Sequence, residues 1–199
     1  DARVVLHPAD TREDQLPSPV VRPYPQQYVR DWTMTDGTQV TIRPIRPEDE
    51  PLMVNFHQTL SERSVYYRYF TPLRLEQRVA HERLARICFI DYDREMALVV
   101  ERNDETTRQR EIVGVGRLSK SHGANEAEFA LVVRDQLQGQ GLGTRLLKTL
   151  VQIGRDEKLN RITATILPDN REMQHVARKA GFTVELESKA GECRANLDL

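Results

Sequence analysis

Three of the chain's ten glycines fall at Gly139, Gly141 and Gly143, inside Gln138-Gly-Gln-Gly-Leu-Gly-Thr144. A valine-rich strand pattern precedes this loop and a leucine-striped helix pattern follows it. Glycine there lets the backbone approach a ligand closely, and the amides at the start of the following helix lack helical acceptors. The helix dipole also favours negative charge at that end, so the loop is a site for a phosphate or pyrophosphate. Spacing excludes two familiar forms of it. A nucleotide-binding GxxxxGK[ST] loop needs a lysine where this chain has none, and a dinucleotide GxGxxG opens an early βαβ unit, whereas GxGxG here lies deep in the chain.

The elements around the loop follow from periodicity. Alternation over Thr38–Ile45, after an Asp36-Gly37 turn, predicts a first strand. Pro47 with Glu48, Asp49 and Glu50 suits a helix start, with Leu52, Met53, Phe56 and Leu60 on one face. Ser61 and Glu62 open a second helix to Phe70, and Leu75–Ile87 reads as a third. Met96–Glu101, Glu111–Leu118 and Glu126–Val133 predict three antiparallel strands. A helix from Leu142 to about Lys158, a strand over Arg161–Leu167, a helix capped by Asp169 and stopped by Gly181, and strands Phe182–Glu187 and Cys193–Leu197 complete the order. Grouped strands interrupted by helices indicate an α/β fold with a mixed central sheet flanked by helices, in a single domain.

Five prolines among the first 25 residues read as a linker or N-terminal extension over residues 1–36, with the domain over 37–199. The chain opens at Asp1, without a secretory pattern, which suggests a piece of a longer cytoplasmic protein. Charge excludes other classes. With 29 Lys and Arg against 30 Asp and Glu, nothing attracts nucleic acid or an acidic membrane globally, and no apolar run approaches the ~20 residues of a membrane span. Two distant cysteines make neither a disulfide framework nor a zinc site, and His57, His81 and His122 lack ligand spacing, so no metal is expected.

The pattern Gln-x-x-Gly-x-Gly at Gln138, Gly141 and Gly143, followed by a helix opening at Asn170 with Met173, Val176, Ala177, Lys179 and Gly181-Phe182, resembles the GNAT acetyltransferases. The resemblance covers roughly residues 37–199 and implies the GNAT fold and acetyl-CoA as cosubstrate. It implies that backbone groups from Gln138 through Gly139, Gln140, Gly141, Leu142, Gly143 and Thr144 hold the pyrophosphate. Val132 and Val133 then face the pantetheine arm, and Asn170, Met173 and Val176 line its far wall. Arg22-Pro-Tyr-Pro25, Ile42-Arg-Pro-Ile-Arg-Pro-Glu-Asp-Glu50, Tyr67-Arg-Tyr-Phe70 and Ile90-Asp-Tyr-Asp-Arg-Glu-Met-Ala97 look like the acetyltransferase domain of bacterial Pat-type protein lysine acetyltransferases. In that family a large acyl-CoA-synthetase-like domain, or a cyclic-nucleotide-binding domain, accompanies this one.

Acetyl transfer to lysine needs a neutral amine, whose conjugate acid has a pKa near 10.4, so a base must take the proton. Glu126 and Glu128 share a strand face. Glu128, nearer the glycine loop, flanked by Ala127 and Phe129 and matching the Pat-type Ala-Glu-Phe-Ala pattern, is expected to be the buried catalytic base, with Glu126 second. A general acid is less defined. The helix after Asn170 has no tyrosine, His175 is a candidate, and Cys193 has no His and Asp arrangement that would make it a nucleophile. The resulting expectation is direct transfer to a lysine of an AMP-forming acyl-CoA synthetase, by a monomeric domain. Acetylation of a small amine, or acetyl-CoA sensing without turnover, are the other readings of the same loop.

Overall fold

The computed structural model describes Pro8, Thr11 and residues 22–104, 107–187 and 191–199. Most of the proline-rich linker expected over residues 1–36 lies outside them. Among the described residues one eight-stranded sheet runs in the order β1-β2-β3-β4-β5-β6-β8-β7. Its strands are β1 (Arg30–Thr33), β2 (Gln39–Pro44), β3 (Glu95–Asn103), β4 (Arg110–Lys120), β5 (Glu126–Val133), β6 (Arg161–Ile166), β7 (Thr183–Glu187) and β8 (Glu192–Asp198). All neighbours pair antiparallel except β5 and β6, whose parallel ladder joins Glu126, Ala127 and Glu128 to Arg161, Ile162 and Thr163 and stops there.

Two helical layers cover the sheet. On one face lie α1 (Glu50–Gln58), α2 (Glu62–Tyr69), α3 (Leu75–Val79) and α4 (His81–Cys88); α5 (Leu142–Asp156) and α6 (Arg171–Lys179) pack on the other. The unbroken apolar run Met96–Val100 follows from this. Met96, Leu98 and Val100 join the α5 side of the core while Ala97 and Val99 join the α1 side, so both faces of β3 are buried. Gly116 permits the close seating of α5, because a Cβ there would come within 2.9 Å of Leu146 Cγ. No helix among the described residues is long and apolar enough to cross a membrane.

Three expectations need correction. The domain boundary moves back from residue 36: Arg30–Thr33 is an edge strand on β2, and Tyr28 and Met34 are buried in the core. A four-residue edge strand with mostly exposed side chains carries no apolar alternation to read. The expected helix over 75–87 breaks at Ala80, which is extended at φ −56° and ψ 130°. Val79 and Leu84, five residues apart, would point about 140° apart on one continuous helix, so the chain restarts to turn both inward. Finally, the cap of α6 is Asn170, whose side chain accepts from the Met173 amide at 3.1 Å, while Asp169 accepts a hydrogen bond from Tyr67 at 3.1 Å.

Candidate active site

Because the β5/β6 ladder ends at Glu128 and Thr163, the remaining residues of β5 have no strand partner toward β6. A cavity of about 710 Å³ opens there, lined by the ends of both strands, the glycine loop, α2 and α6. The sheet therefore supplies the cleft by parting in its middle, at the loop that the sequence already marked.

The floor at one end is the loop. Gly139 and Gly141 take φ of +75° and +84°, and Gly141 is the N-cap of α5 with no capping side chain. Arg145 is the first amide of α5 with a backbone acceptor, the Gly141 carbonyl at 2.9 Å; among the described residues the amides of residues 139–144 donate to none. Free donors, a positive helix end and absent side chains fit a pyrophosphate. Gln138 works differently from its neighbours. Its Nε2 donates to the Val133 carbonyl at 3.0 Å and to Ser64 Oγ at 3.2 Å, so its side chain clamps the loop to the end of β5 and to α2. Asp135 reinforces that clamp by accepting from Ser61 N and Oγ and from Ser64 Oγ. Burial would raise the Asp135 carboxyl, but these bonds outweigh it and hold it below the usual range.

The cavity brings together Glu128, Val132, Val133, Gln138, Gly139, Gly141, Gly143, Thr144, Asn170, Met173 and Val176, and it leaves out Gln140 and Leu142. Leu142 is buried in the core as the first residue of α5 and the start of its apolar stripe, so only its amide can serve a ligand. Glu128 stands at the last rung of the β5/β6 ladder, opposite Ser119 on β4. It is exposed, contrary to the expected burial. Ala127 and Phe129 project to the opposite face of the sheet, so apolar neighbours in sequence could not cover it. Among the described residues its carboxylate has no hydrogen-bond or ion-pair partner, whereas Glu126 pairs with Arg161 at 3.7 Å and lies outside the cavity. Cys193 is buried in the core, away from the cavity, and His175 lines it from α6.

Sequence reasoning missed the charged residues of the wall facing the loop. Tyr67, Tyr69 and Phe70 line it together with Arg68, Glu95 and Arg117, from α2, β3 and β4. Arg117 is nearly buried and donates to Glu95 and to the Ile87 carbonyl. An arginine between Gly116 and Leu118, within an apolar strand, was the available signal, since a charge there must be paired. Tyr67 is the cavity tyrosine that α6 lacks; it reaches in from α2 and donates to Asp169. No group of three His, Cys, Asp or Glu among the described residues could hold a metal ion.

The comparisons agree with this architecture. A protein named as an acetyltransferase from Pseudomonas aeruginosa is 25% identical over 75% of this chain and 78% of its own length. Acetyltransferase Pat from Mycolicibacterium smegmatis is 26% identical over 73% of this chain, which spans 41% of that protein. The crystal structure of the GNAT domain of S. lividans PAT is 28% identical with a TM-score of 0.77, covering 89% of this chain and 100% of that one. Mycobacterium smegmatis RimJ in complex with CoA-disulfide shares the fold, with a TM-score of 0.66 at 19% identity over 85% of this chain and 86% of that one. Residues 39–183 match the family model described as the acetyltransferase (GNAT) domain, and the chain belongs to that family, as an N-acetyltransferase with acetyl-CoA as its cosubstrate.

Proposed function

We propose that the chain acetylates a lysine side chain on a protein, an AMP-forming acyl-CoA synthetase, by direct transfer with Glu128 as the base. The observation that carries this reading is the unpartnered Glu128 carboxylate in the cavity, on the strand that leads to the free amides of the glycine loop. Every other carboxylate the sequence reading weighed is paired or elsewhere. Exposed aromatic rims support a protein acceptor over an enclosed small amine, since Phe70 lines the cavity at 40% exposure and Tyr66 beside it is 42% exposed. The Pat-type resemblance favours the synthetase.

Acetyl-CoA supplies the acetyl group as a thioester. The amides of residues 139–144 hold its pyrophosphate, and Met173 and Val176 offer apolar surface along the wall. Glu128 accepts the ammonium proton, directly or through one water, the neutral nitrogen forms the new N–C bond as the C–S bond breaks, and the second proton that nitrogen sheds as the amide forms goes to the departing thiolate. The electron pair leaves on sulfur. A thiolate whose conjugate acid has a pKa near 8.5 needs no dedicated acid, although Tyr67 and His175 both line the cavity.

The experiment measures transfer from labelled acetyl-CoA to a panel of acyl-CoA synthetases and small amines, for wild type and Glu128→Gln. Synthetase labelling that collapses in the variant, with acetyl-CoA binding retained, is the expected outcome. Labelling of small amines alone would reassign the acceptor, and binding without any transfer would make the domain a sensor.

A further inference from the structure

A second cavity of about 340 Å³ lies against the first, enclosed by α1, α2, α4 and β4. Arg68, Tyr69, Glu95, Arg117 and Val132 line both, so the two are adjacent. The smaller one is strongly cationic: Arg68, Arg83, Arg86 and Arg117 face it against a single carboxylate, Glu95. That carboxylate is occupied, since it accepts from Arg117 and from Ser119 Oγ at 3.3 Å. Arg86 donates through Nε to the Glu82 carbonyl at 3.1 Å.

Arg68 and Arg83 are left over. Each guanidinium sits 5.0 Å from the centroid of the Tyr69 ring, and among the described residues neither makes a hydrogen bond or an ion pair. Arg83 Nε is buried without a partner. His57 on α1 also faces this cavity at 1% exposure, and neither of its ring nitrogens has a partner. Native interiors satisfy nearly all buried polar groups, so the buried Arg83 Nε and the orphaned His57 ring, with the half-buried Arg68 guanidinium beside them, call for a ligand that accepts hydrogen bonds and carries negative charge. Burial and the surrounding arginines Arg78, Arg83, Arg68 and Arg117 push the His57 ring down to about 4, so it meets such a ligand as a neutral imidazole able to donate from one nitrogen.

Register locates the annex relative to the transfer site. Ser119 stands opposite Glu128, and Arg117, two residues along β4 and on the same face, stands opposite Ala130. Two residues of strand span roughly 7 Å, about the reach of one side chain. We propose that the annex is an oxyanion site that reads an acidic group, a carboxylate or a phosphate, carried by the acceptor close to the amine that is acetylated. This rests on the larger cavity being the site where Glu128 deprotonates the acceptor.

Two measurements test it. The first is titration of the free domain with inorganic phosphate at constant ionic strength, followed by the ring resonances of His57, assigned by their loss in His57→Gln. Saturable shifts that weaken about tenfold in Arg83→Gln and largely return in Arg83→Lys are expected, as for loss of one charge-assisted bond. Circular dichroism and acetyl-CoA affinity show that the variants are folded. The second compares lysine peptides bearing Glu or Gln beside the acceptor. The Glu peptide should have the lower KM in wild type, and Arg83→Gln should abolish that preference by raising its KM about tenfold while leaving kcat in place.

Absence of saturable phosphate binding overturns the site. Phosphate binding without a peptide preference overturns its role in acceptor recognition and leaves a site for a free anion. Failure of every lysine peptide, with phosphate still bound and lost in Arg83→Gln, overturns the protein-lysine reading while upholding the oxyanion site.

Discussion

One wall of the cleft, from Gln138 to Thr144 and along α6, offers a ligand backbone amides and apolar surface; the facing wall, on α2, β3 and β4, offers Arg68, Glu95, Arg117 and three aromatic rings. The first wall is made by one contiguous segment and a neighbouring helix. The second collects side chains from residues 67 to 117, held together only because β3, β4 and β5 pair and α2 packs against β5. Backbone donors at a helix start suit a cosubstrate common to a whole family, because they recognise a pyrophosphate whatever the side chains are. Side-chain walls can change from one member to the next without disturbing the loop, which is why the proposed acceptor recognition is placed on the second wall.

Removing the Glu128 carboxylate, unpartnered among the described residues, should break the cooperation of the walls most severely. Glu128→Gln is expected to lower kcat by about 10²–10⁴, the usual contribution of a positioned base, with acetyl-CoA affinity within a factor of about two of wild type. Steady-state rates paired with calorimetric binding check both halves of that statement, and a variant that keeps its rate would remove Glu128 from the mechanism.

The smaller cavity behind the side-chain wall carries a pH signature. The His57 ring, held down to about 4 chiefly by burial and then by Arg78, Arg83, Arg68 and Arg117, is protonated near 6.5 in the unfolded chain. Its folded value is depressed, so its contribution to stability is complete above 6.5 and is lost as pH falls toward 4, by up to about 3 kcal/mol. Urea denaturation at pH 7 and pH 4.5 should show this loss, and His57→Leu should show much less of it. An equal loss in both proteins would assign the pH dependence to other groups.

The loop wall has a smaller, purely conformational sensitivity. Gly141→Val forces a β-branched residue to φ +84°, at a cost of about 1–2 kcal/mol, and should weaken acetyl-CoA binding about tenfold while leaving the acceptor KM little changed. Calorimetry on the two proteins decides it; equal affinities would mean that the loop amides do not hold the cosubstrate. Least affected should be Glu126→Gln. It breaks a partly exposed ion pair with Arg161 at 3.7 Å, worth less than about 1 kcal/mol, and should change the rate by less than about twofold. A rate loss as large as that of Glu128→Gln would show that the strand face, and not the single free carboxylate, matters.

Legibility divided along the same line as the walls. The Gln138–Thr144 loop, the α5 stripe and the antiparallel trio β3, β4 and β5 are local patterns, set by residue spacing within one segment, and the structure reproduces them. The sequence reading counts Leu142 and Gln140 in the loop, yet both lie outside the cavity, and Leu142, the first residue of α5, turns its side chain into the core. Strand β1 was hidden by its exposed polar residues, and the break at Ala80 showed only as a five-residue spacing between Val79 and Leu84.

By itself, then, the amino-acid sequence determined most of the order of the elements from β2 onward, a helix start fitted to a pyrophosphate and the strand that bears Glu128, since each depends on periodicity and backbone freedom over a few consecutive residues. Only the tertiary structure decided that β5 and β6 part after Glu128, that Glu128 is exposed and, among the described residues, unpaired while Glu126 is tied to Arg161, and that Arg68, Arg83 and His57 meet around one cavity. Those outcomes depend on which distant segments are brought together and on which charges find partners there, and no local pattern encodes either.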